Sequence, residues 1–252
     1  MPVGFVPFRF VYLVSGTGSV FEEVLRAVDE GVLPVVIAGV IADRNCPAAE
    51  RSRRRGIPTS VVPAADFARR AEFDAATARA IESFAPDAIA VNYNYVLPPQ
   101  VTAAYRHRIL NPHFTLLPLF PGFGPIRQSL ASGMRLAGVT VHLVDDTIDH
   151  GPIVAQAVRP VGPDDTEASL GRALFSAGAP LFIQAMRFLA EGRIEVTGGR
   201  TTVRQADYSR LPFVPALEPD IEAIATRLER ELATAADSPA AHVTGPDRPR
   251  RG

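Results

Sequence analysis

Short apolar runs alternate with amphipathic stretches along the first 110 residues of the chain. The run from Phe8 to Val14 is rich in β-branched residues, which predicts a buried strand. Apolar residues at helical spacing follow between Phe21 and Val32 and predict a helix with one buried face. The same pattern predicts strands at 34–42, 59–62, 88–91 and 109–111, and helices at 48–55, 66–84 (capped by Asp66) and 98–105. This alternation predicts an α/β, Rossmann-like fold with a mostly parallel sheet and helices on both faces.

The pattern changes in the second half of the chain. Residues 138–144 and 153–159 predict two strands joined by a turn, and residues 166–190 predict a long helix that bends or divides at Gly178 and Pro180. Residues 193–196 and 201–203 predict a small hairpin across Gly198-Gly199. We therefore expect one domain over residues 1–203 and a C-terminal extension over 204–252, disordered after about residue 235 because of its composition.

Composition and charge exclude several classes of function. The net charge is -1, so no basic field recruits nucleic acid. All 26 basic residues are arginine, which excludes Schiff-base chemistry on a lysine. The single cysteine, Cys46, cannot form an internal disulfide and favours a reducing, cytoplasmic location. No segment looks like the ~20-residue apolar span that crosses a membrane, and the apolar start lacks a basic leader.

Three polar residues in the middle of the chain suit attack on a carbonyl. Asn111 and His113 are two residues apart at the end of a predicted strand, so their side chains share one face. With Asp149 they would supply two donors for a developing oxyanion and an acid that orients the imidazole. For His107, His142 and His242 we favour an ordinary buried, hydrogen-bonded side chain.

Three other segments each allow two interpretations. The turn at residues 15–19 is either an anion site at a helix N-terminus or a plain tight connection. The loop at residues 92–95 either lines a pocket for a flat ligand or, as spacing favours, is a polar loop with two surface tyrosines. Asp145, Asp146 and Asp149 suggest turn chemistry more than a metal site, so we expect no metal.

In their order along the chain, the motifs resemble those of the folate-dependent formyltransferases, and most closely the glycinamide ribonucleotide formyltransferase type. The resemblance covers roughly residues 8–197. The motifs that carry it are Val14-Ser15-Gly16-Thr17-Gly18-Ser19, Pro86-Asp87, Asn111-x-His113, Leu116-Leu117-Pro118, Pro121-Gly122, Gly138-Val139-Thr140-Val141-His142 and Asp149-x-Gly151-Pro152-Ile153.

This resemblance implies a formyltransferase domain over residues 1–203, with 10-formyltetrahydrofolate as donor, a small-molecule amine as acceptor and no metal. It implies that Asn111, His113 and Asp149 are catalytic. It also assigns two sets of binding residues. The folate set is Tyr93, Asn94, Tyr95, Val96, Leu97, Asp145, Thr147 and Ile148, and the acceptor set is Ser15, Gly16, Thr17, Gly18 and Ser19.

Some positions depart from the family pattern. Val20 replaces an asparagine that helps the phosphate site in the purine enzymes, and Pro112 and Phe114 are also unusual. The folate loop, here Asn92-Tyr93-Asn94-Tyr95, lacks the usual arginine. We therefore expect an acceptor that is not restricted to the purine pathway, such as a sugar amine or an amino acid amine.

Two alternative functions remain open. One is hydrolysis of 10-formyltetrahydrofolate, although the deformylases generally carry an N-terminal regulatory domain and only about seven residues precede the first predicted strand here. The other is a non-catalytic folate- or ligand-binding protein on the same fold. Neither a nucleic acid nor a membrane is an expected partner. The oligomeric state is left open, with a dimer among the alternatives.

Overall fold

The computed structural model describes residues 7–236 and divides the chain into two compact units, residues 7–109 and 110–236. The predicted α/β, Rossmann-like fold class is confirmed, and the strands of the first unit pair in parallel. The disorder expected after about residue 235 concerns residues 237–252, which lie outside the described residues.

The first unit has four parallel strands in the order β4-β1-β2-β3. Residues 10–13 of the central strand β1 are fully buried, as expected for a strand covered on both faces. Asp87 ties the start of β4 to β1, because its carboxylate accepts from the N–H of Arg9 and its own N–H donates to the Arg9 carbonyl, both at 2.8 Å. The elements are β1 (Phe8–Val14), α1 (Ser19–Asp29), β2 (Val35–Ala42), α2 (Pro47–Arg54), β3 (Thr59–Val61), a 3-10 turn (Ala64–Asp66), α3 (Arg70–Ser83), β4 (Ala88–Asn92) and α4 (Pro99–Ala104).

The predicted start of the helix at Asp66 is wrong. Asp66 ends the short 3-10 turn, and the next residue, Phe67, is extended with φ -116° and ψ 134°. The ring of Phe67 packs against Phe73 with 5.9 Å between centroids. Helix α3 therefore begins at Arg70, four residues after Asp66.

The second unit is built from antiparallel strands in the order β10-β7-β6-β5. The predicted hairpin across Gly198-Gly199 is confirmed as β8 and β9. Strand β5 continues through Pro112, two residues beyond its predicted end. The elements are β5 (Ile109–His113), α5 (Pro125–Ala131), β6 (Leu136–Leu143), β7 (Ile153–Pro160), α6 (Glu167–Ala190), β8 (Ile194–Thr197), β9 (Arg200–Val203), β10 (Phe213–Val214) and α7 (Pro219–Ala236).

Helix α6 is one continuous helix of 24 residues, so it does not divide at Gly178 or Pro180. A Cβ at Gly178 would lie 3.2 Å from both Phe114 and Val139, so glycine lets α6 lie close to β6. By length and composition α6 also passes as a membrane span, contrary to our expectation from the sequence. Most of that stretch is buried within the protein, which is typical of a core helix.

Residues 204–236 of the expected C-terminal extension pack onto the second unit. Strand β10 pairs with β7, and apolar residues of α7 are buried. The guanidinium of Arg187 on α6 forms ion pairs with Glu218 and Asp220, and Arg193 donates to Glu218 at 2.7 Å. This segment is therefore an integral part of the unit that holds Asn111, His113 and Asp149.

Candidate active site

Strand β5 brings the first two candidate residues to the same end of the second unit. Asn111 lies opposite His142 of β6, and His113 lies opposite Thr140. Pro112 between them has no N–H, so the pairing there uses its carbonyl alone. His113 is buried and Asn111 is half-buried.

His142 joins the candidate residues. Its Nδ1 lies 3.2 Å from the carbonyl of Leu143, which only accepts, so Nδ1 carries a hydrogen. In the neutral ring Nε2 then accepts from the Asn111 amide, at 3.1 Å. The expected buried, hydrogen-bonded histidine is therefore present at this position, but it lies inside the cluster. The antiparallel pairing of β5 and β6 puts residue 142 beside residue 111, and that pairing was not predicted from the sequence.

Asp149 lies between the two histidines. Its Oδ2 is 3.4 Å from Nδ1 of His113, and its Oδ1 is 3.5 Å from Nε2 of His142. Its backbone is left-handed, with φ 55°, which is a costly conformation for a residue with a side chain. The N–H of Gly122 donates to Oδ2 at 2.8 Å and holds the carboxylate in place.

The backbone carbonyl of Phe120 contacts the other side of His113. It lies 3.0 Å from Nε2, and because a carbonyl only accepts, Nε2 carries the hydrogen. In the neutral ring Nδ1 is then the unprotonated nitrogen, and it faces the carboxylate of Asp149. A proton taken up by His113 therefore enters at Nδ1, beside the carboxylate.

Burial and charge shift the pKa values of this pair. Burial lowers the pKa of His113 below its ordinary value of 6.5, and the Asp149 carboxylate and the Phe120 carbonyl offset only part of that effect. Burial alone would raise the pKa of Asp149, but the contact with His142, the proximity of His113 and the Gly122 N–H together hold it below 3.8. We conclude that Asp149 is ionised at neutral pH and that His113 is mostly neutral until a reaction charges it.

The other predicted residues of this unit lie in the turn between β6 and β7. Asp145 accepts the N–H of Thr147 at 2.9 Å, which is ordinary turn chemistry. Ile148 is 49% exposed, so a hydrophobic side chain is available here for a ligand ring. Across residues 7–236, no three His, Cys, Asp or Glu side chains are close enough to hold a metal ion.

The glycine-rich turn belongs to the first unit. Gly16 and Gly18 have φ 87° and φ 67°, and the left-handed Gly18 starts α1. Among the described residues no side chain caps this helix start, which leaves backbone N–H groups for a ligand. Arg51 donates to the Thr17 carbonyl at 2.9 Å and brings a cation to the turn. Val20 is buried in the core, so its side chain contributes nothing to the turn.

The predicted folate loop is tied to this turn by Ser15. The Ser15 N–H donates to the Asn92 carbonyl, and the Ser15 hydroxyl accepts the N–H of Asn94, both at 3.0 Å. Asp43 lies close to Ser15 and is itself buried, and burial raises the pKa of its carboxyl. Sequence reasoning missed Asp43, although an acidic residue directly after a buried strand is a visible signal.

The interpretation of this loop as one with two surface tyrosines is wrong, because both rings are half-buried, and the pocket-lining interpretation stays a prediction. The rings of Tyr93 and Tyr95 pack together with 5.6 Å between centroids, and Tyr95 packs on Phe73 at 4.9 Å. The Tyr93 hydroxyl is buried, and burial raises its pKa. The rings therefore support the loop, and Arg70 fixes it further by donating to the Val96 carbonyl at 2.6 Å. Within the segment from Tyr93 to Leu97, Val96 is the exposed side chain, and the folate contacts of this segment stay a prediction.

Comparison with known proteins gives consistent matches over most of the chain. Residues 8–186 match the family described as Formyl transferase. A phosphoribosylglycinamide formyltransferase of Mycobacterium tuberculosis is 36% identical over 198 residues, which cover 78% of this chain and 92% of that protein.

Solved structures agree with these matches. Glycinamide ribonucleotide transformylase 1 from Symbiobacterium toebii has a TM-score of 0.76 and 35% identity, covering 78% of this chain and 94% of its own. A formyltetrahydrofolate deformylase from Pseudomonas syringae pv. tomato has a TM-score of 0.74 and 26% identity, covering 79% of this chain and 66% of its own.

Proposed function

The chain belongs to the formyl transferase family, and from that premise we propose that it transfers the formyl group of 10-formyltetrahydrofolate to an amine. The observation that carries the proposal is the convergence of Asn111, His113 and Asp149 within one cluster of contacts. The proposed contacts of the donor are the segment from Tyr93 to Leu97 and, in the turn after β6, Asp145, Thr147 and Ile148. The turn from Ser15 to Ser19 is the proposed contact of the acceptor.

The reaction forms one bond and breaks another at the formyl carbon. The uncharged acceptor nitrogen attacks that carbon, and the electron pair of the C=O bond moves onto oxygen. Asn111 donates an amide N–H to this oxyanion, and His113 donates its Nε2–H. For this, the formyl oxygen replaces the Phe120 carbonyl as the acceptor of His113.

Asp149 takes part in the proton transfer and stabilises the positive charge that forms on His113. Its carboxylate stabilises the imidazolium that forms when His113 takes up a proton at Nδ1. That proton comes from the attacking nitrogen and passes on, through the Asp149 carboxylate and a water molecule, to N10 of the folate. When the bond from the formyl carbon to N10 breaks, N10 leaves with that proton and the carbonyl forms again on the product.

The acceptor is the finer part of the proposal. Relatives are named for phosphoribosylglycinamide, which makes it the reference acceptor. Without a polar side chain at position 20, the turn from Ser15 to Ser19 offers backbone N–H groups and three hydroxyls, with Arg51 of α2 beside it. This set binds an anion without a dedicated amide, so we expect amines other than phosphoribosylglycinamide to be formylated as well.

An acceptor screen tests the proposal. The purified protein is mixed with 10-formyltetrahydrofolate and, in separate reactions, phosphoribosylglycinamide, an amino sugar, an amino acid or no amine. Loss of the donor and the mass of the product are followed. A formylated amine supports the proposal, and an Asn111→Ala variant should form it at least about 10²-fold more slowly. If phosphoribosylglycinamide alone is formylated, the broader acceptor range is refuted.

A second candidate is hydrolysis of the same donor, with water as acceptor. The similarity to a formyltetrahydrofolate deformylase favours including it. Formate released at the same rate with and without amines would establish it. Donor that binds but is never consumed would instead indicate a non-catalytic binding protein. A cytoplasmic location is also part of the proposal, and cell fractionation tests it.

A further inference from the structure

A short loop after β5 holds both His113 and Asp149 through its backbone. In this loop (residues 115–122), the Phe120 carbonyl accepts from Nε2 of His113 at 3.0 Å, and the Gly122 N–H donates to Asp149 at 2.8 Å. The hydrogen position on His113 therefore depends on where this loop lies.

Two side chains from β6 and β7 hold the loop in place. The Thr140 hydroxyl donates to the Thr115 carbonyl at 2.7 Å and accepts from the Leu117 N–H at 3.0 Å. Nε2 of Gln156 donates to the Leu117 carbonyl at 2.9 Å and to the Thr140 hydroxyl at 3.0 Å. A hydroxyl has one hydrogen and two lone pairs, so these bonds use the full capacity of Thr140. Gln156 is thus the residue that completes the network.

We propose that Gln156 is a positioning residue for the reaction: it fixes the loop, and through the Phe120 carbonyl it sets the tautomer and orientation of His113. Among the hydrogen bonds of residues 7–236, none joins Gln156 to Asn111, His113 or Asp149, so Gln156 acts only through the loop. Without it, the buried Leu117 carbonyl loses its side-chain partner. The loop then shifts toward another partner, and the Phe120 carbonyl moves with it.

The chain offers a matched control. Gln184 on α6 also uses its amide to bind backbone: its Nε2 donates to the Ala216 carbonyl at 3.1 Å, and its Oε1 accepts the Glu218 N–H at 2.7 Å. It holds the segment before α7 and has no bond to the loop at 115–122 among the described contacts. The substitutions Gln156→Leu and Gln184→Leu remove the same group. General destabilisation should affect both variants, whereas a positioning role should affect only the first.

The first readout is the state of His113 in solution. Nitrogen NMR of protein labelled in histidine, with His113 assigned by a His113→Asn variant, reports which ring nitrogen carries the hydrogen. We expect Nε2–H in the wild type and in Gln184→Leu, and a mixture of tautomers with a lower His113 pKa in Gln156→Leu. If Gln156→Leu fails to fold, Gln156→Glu has nearly the same shape, lacks the donor and should give the same mixture. An unchanged Nε2–H in the folded variants overturns the proposal.

The second readout rests on the proposed function. With the best acceptor from the screen, Gln156→Leu should lower kcat by about 10²-fold, the scale expected from a small misplacement of a catalytic group, while both KM values stay within about threefold. Gln184→Leu should keep the wild-type kcat. A wild-type kcat in Gln156→Leu refutes the positioning role. If the wild type itself transfers no formyl group, the proposed function fails, and the NMR result still decides the role of Gln156.

Discussion

Replacing Asp149 by asparagine removes one negative charge and little volume. The substituted amide keeps an oxygen for the Gly122 N–H, so the left-handed backbone at this position retains its anchor. The change that remains is electrostatic: the imidazolium of His113 loses the carboxylate 3.4 Å from its Nδ1.

The magnitude follows from that distance. At 3.4 Å and an effective dielectric constant near 20, the full ion pair is worth at most about 5 kcal/mol. The Asp149 side chain is only 13% exposed, so solvent screens the pair weakly. Because about 1.4 kcal/mol of barrier is tenfold in rate, the ceiling is three to four powers of ten. Local relaxation reduces this, and we expect kcat to fall by about 10²–10³.

The assay measures single-turnover loss of 10-formyltetrahydrofolate, with the donor Kd measured separately by calorimetry. Asp149→Asn should bind the donor within about threefold of the wild type, because the folate contacts are proposed for the neighbouring turn and loop. Asp146→Asn is the matched control, since Asp146 is an exposed carboxylate in the same turn. Asp146→Asn should leave the rate unchanged. A rate within about threefold of the wild type in Asp149→Asn would refute the assigned role.

Three further predictions concern stability. Gly178→Ala places a methyl group 3.2 Å from Phe114 and from Val139, so overpacking should lower the free energy of unfolding by about 1–3 kcal/mol in urea titrations; an unchanged midpoint would contradict this. Arg187→Met removes the ion pairs with Glu218 and Asp220 and should cost about 1–2 kcal/mol at pH 7. The pKa values of both carboxyls are lowered in the folded state, so this difference should be complete above pH about 4.5 and shrink as the pH falls further. The pKa of His113 is also lowered, so wild type should lose stability relative to His113→Asn as the pH falls below about 6.5, and parallel stability curves for the two proteins would contradict that burial effect.

The parallel strands β1, β2 and β4 were predictable because they are mostly buried on both faces and therefore show as continuous apolar runs. Residues 8–14 and 35–42 show this, and their predicted bounds agree with the structure to within one residue. The sequence also contains a helical pattern over α7, which the prediction did not include. Ile221, Ile224 and Leu228 recur at spacings of three and four, which is the pattern of a helix with one buried face.

The candidate site was only partly predictable. Asn111, His113 and Asp149 carry chemistry in their side chains and appear in recognisable motifs. The groups that set the state of His113 and Asp149 are the Phe120 carbonyl and the Gly122 N–H, and a backbone group has the same chemistry whatever the side chain is. These two backbone groups reach His113 and Asp149 only because of the path of the loop at 115–122, and no local sequence pattern predicts that path. His142 and Gln156 required the antiparallel register of β5, β6 and β7.

Strand β10 also affects whether other protein chains can pair with the edge of this sheet. It lies beyond residue 186, where the match to the family ends, and it covers the outer side of β7 with only two residues. Pro212 and Pro215 flank those residues, and neither proline has a backbone N–H that could donate a hydrogen bond to another chain. An uncovered β7 would present eight residues as a template for a foreign strand. The short proline-bounded strand removes that template, so this rim of the second unit resists the edge-to-edge joining that leads to aggregates.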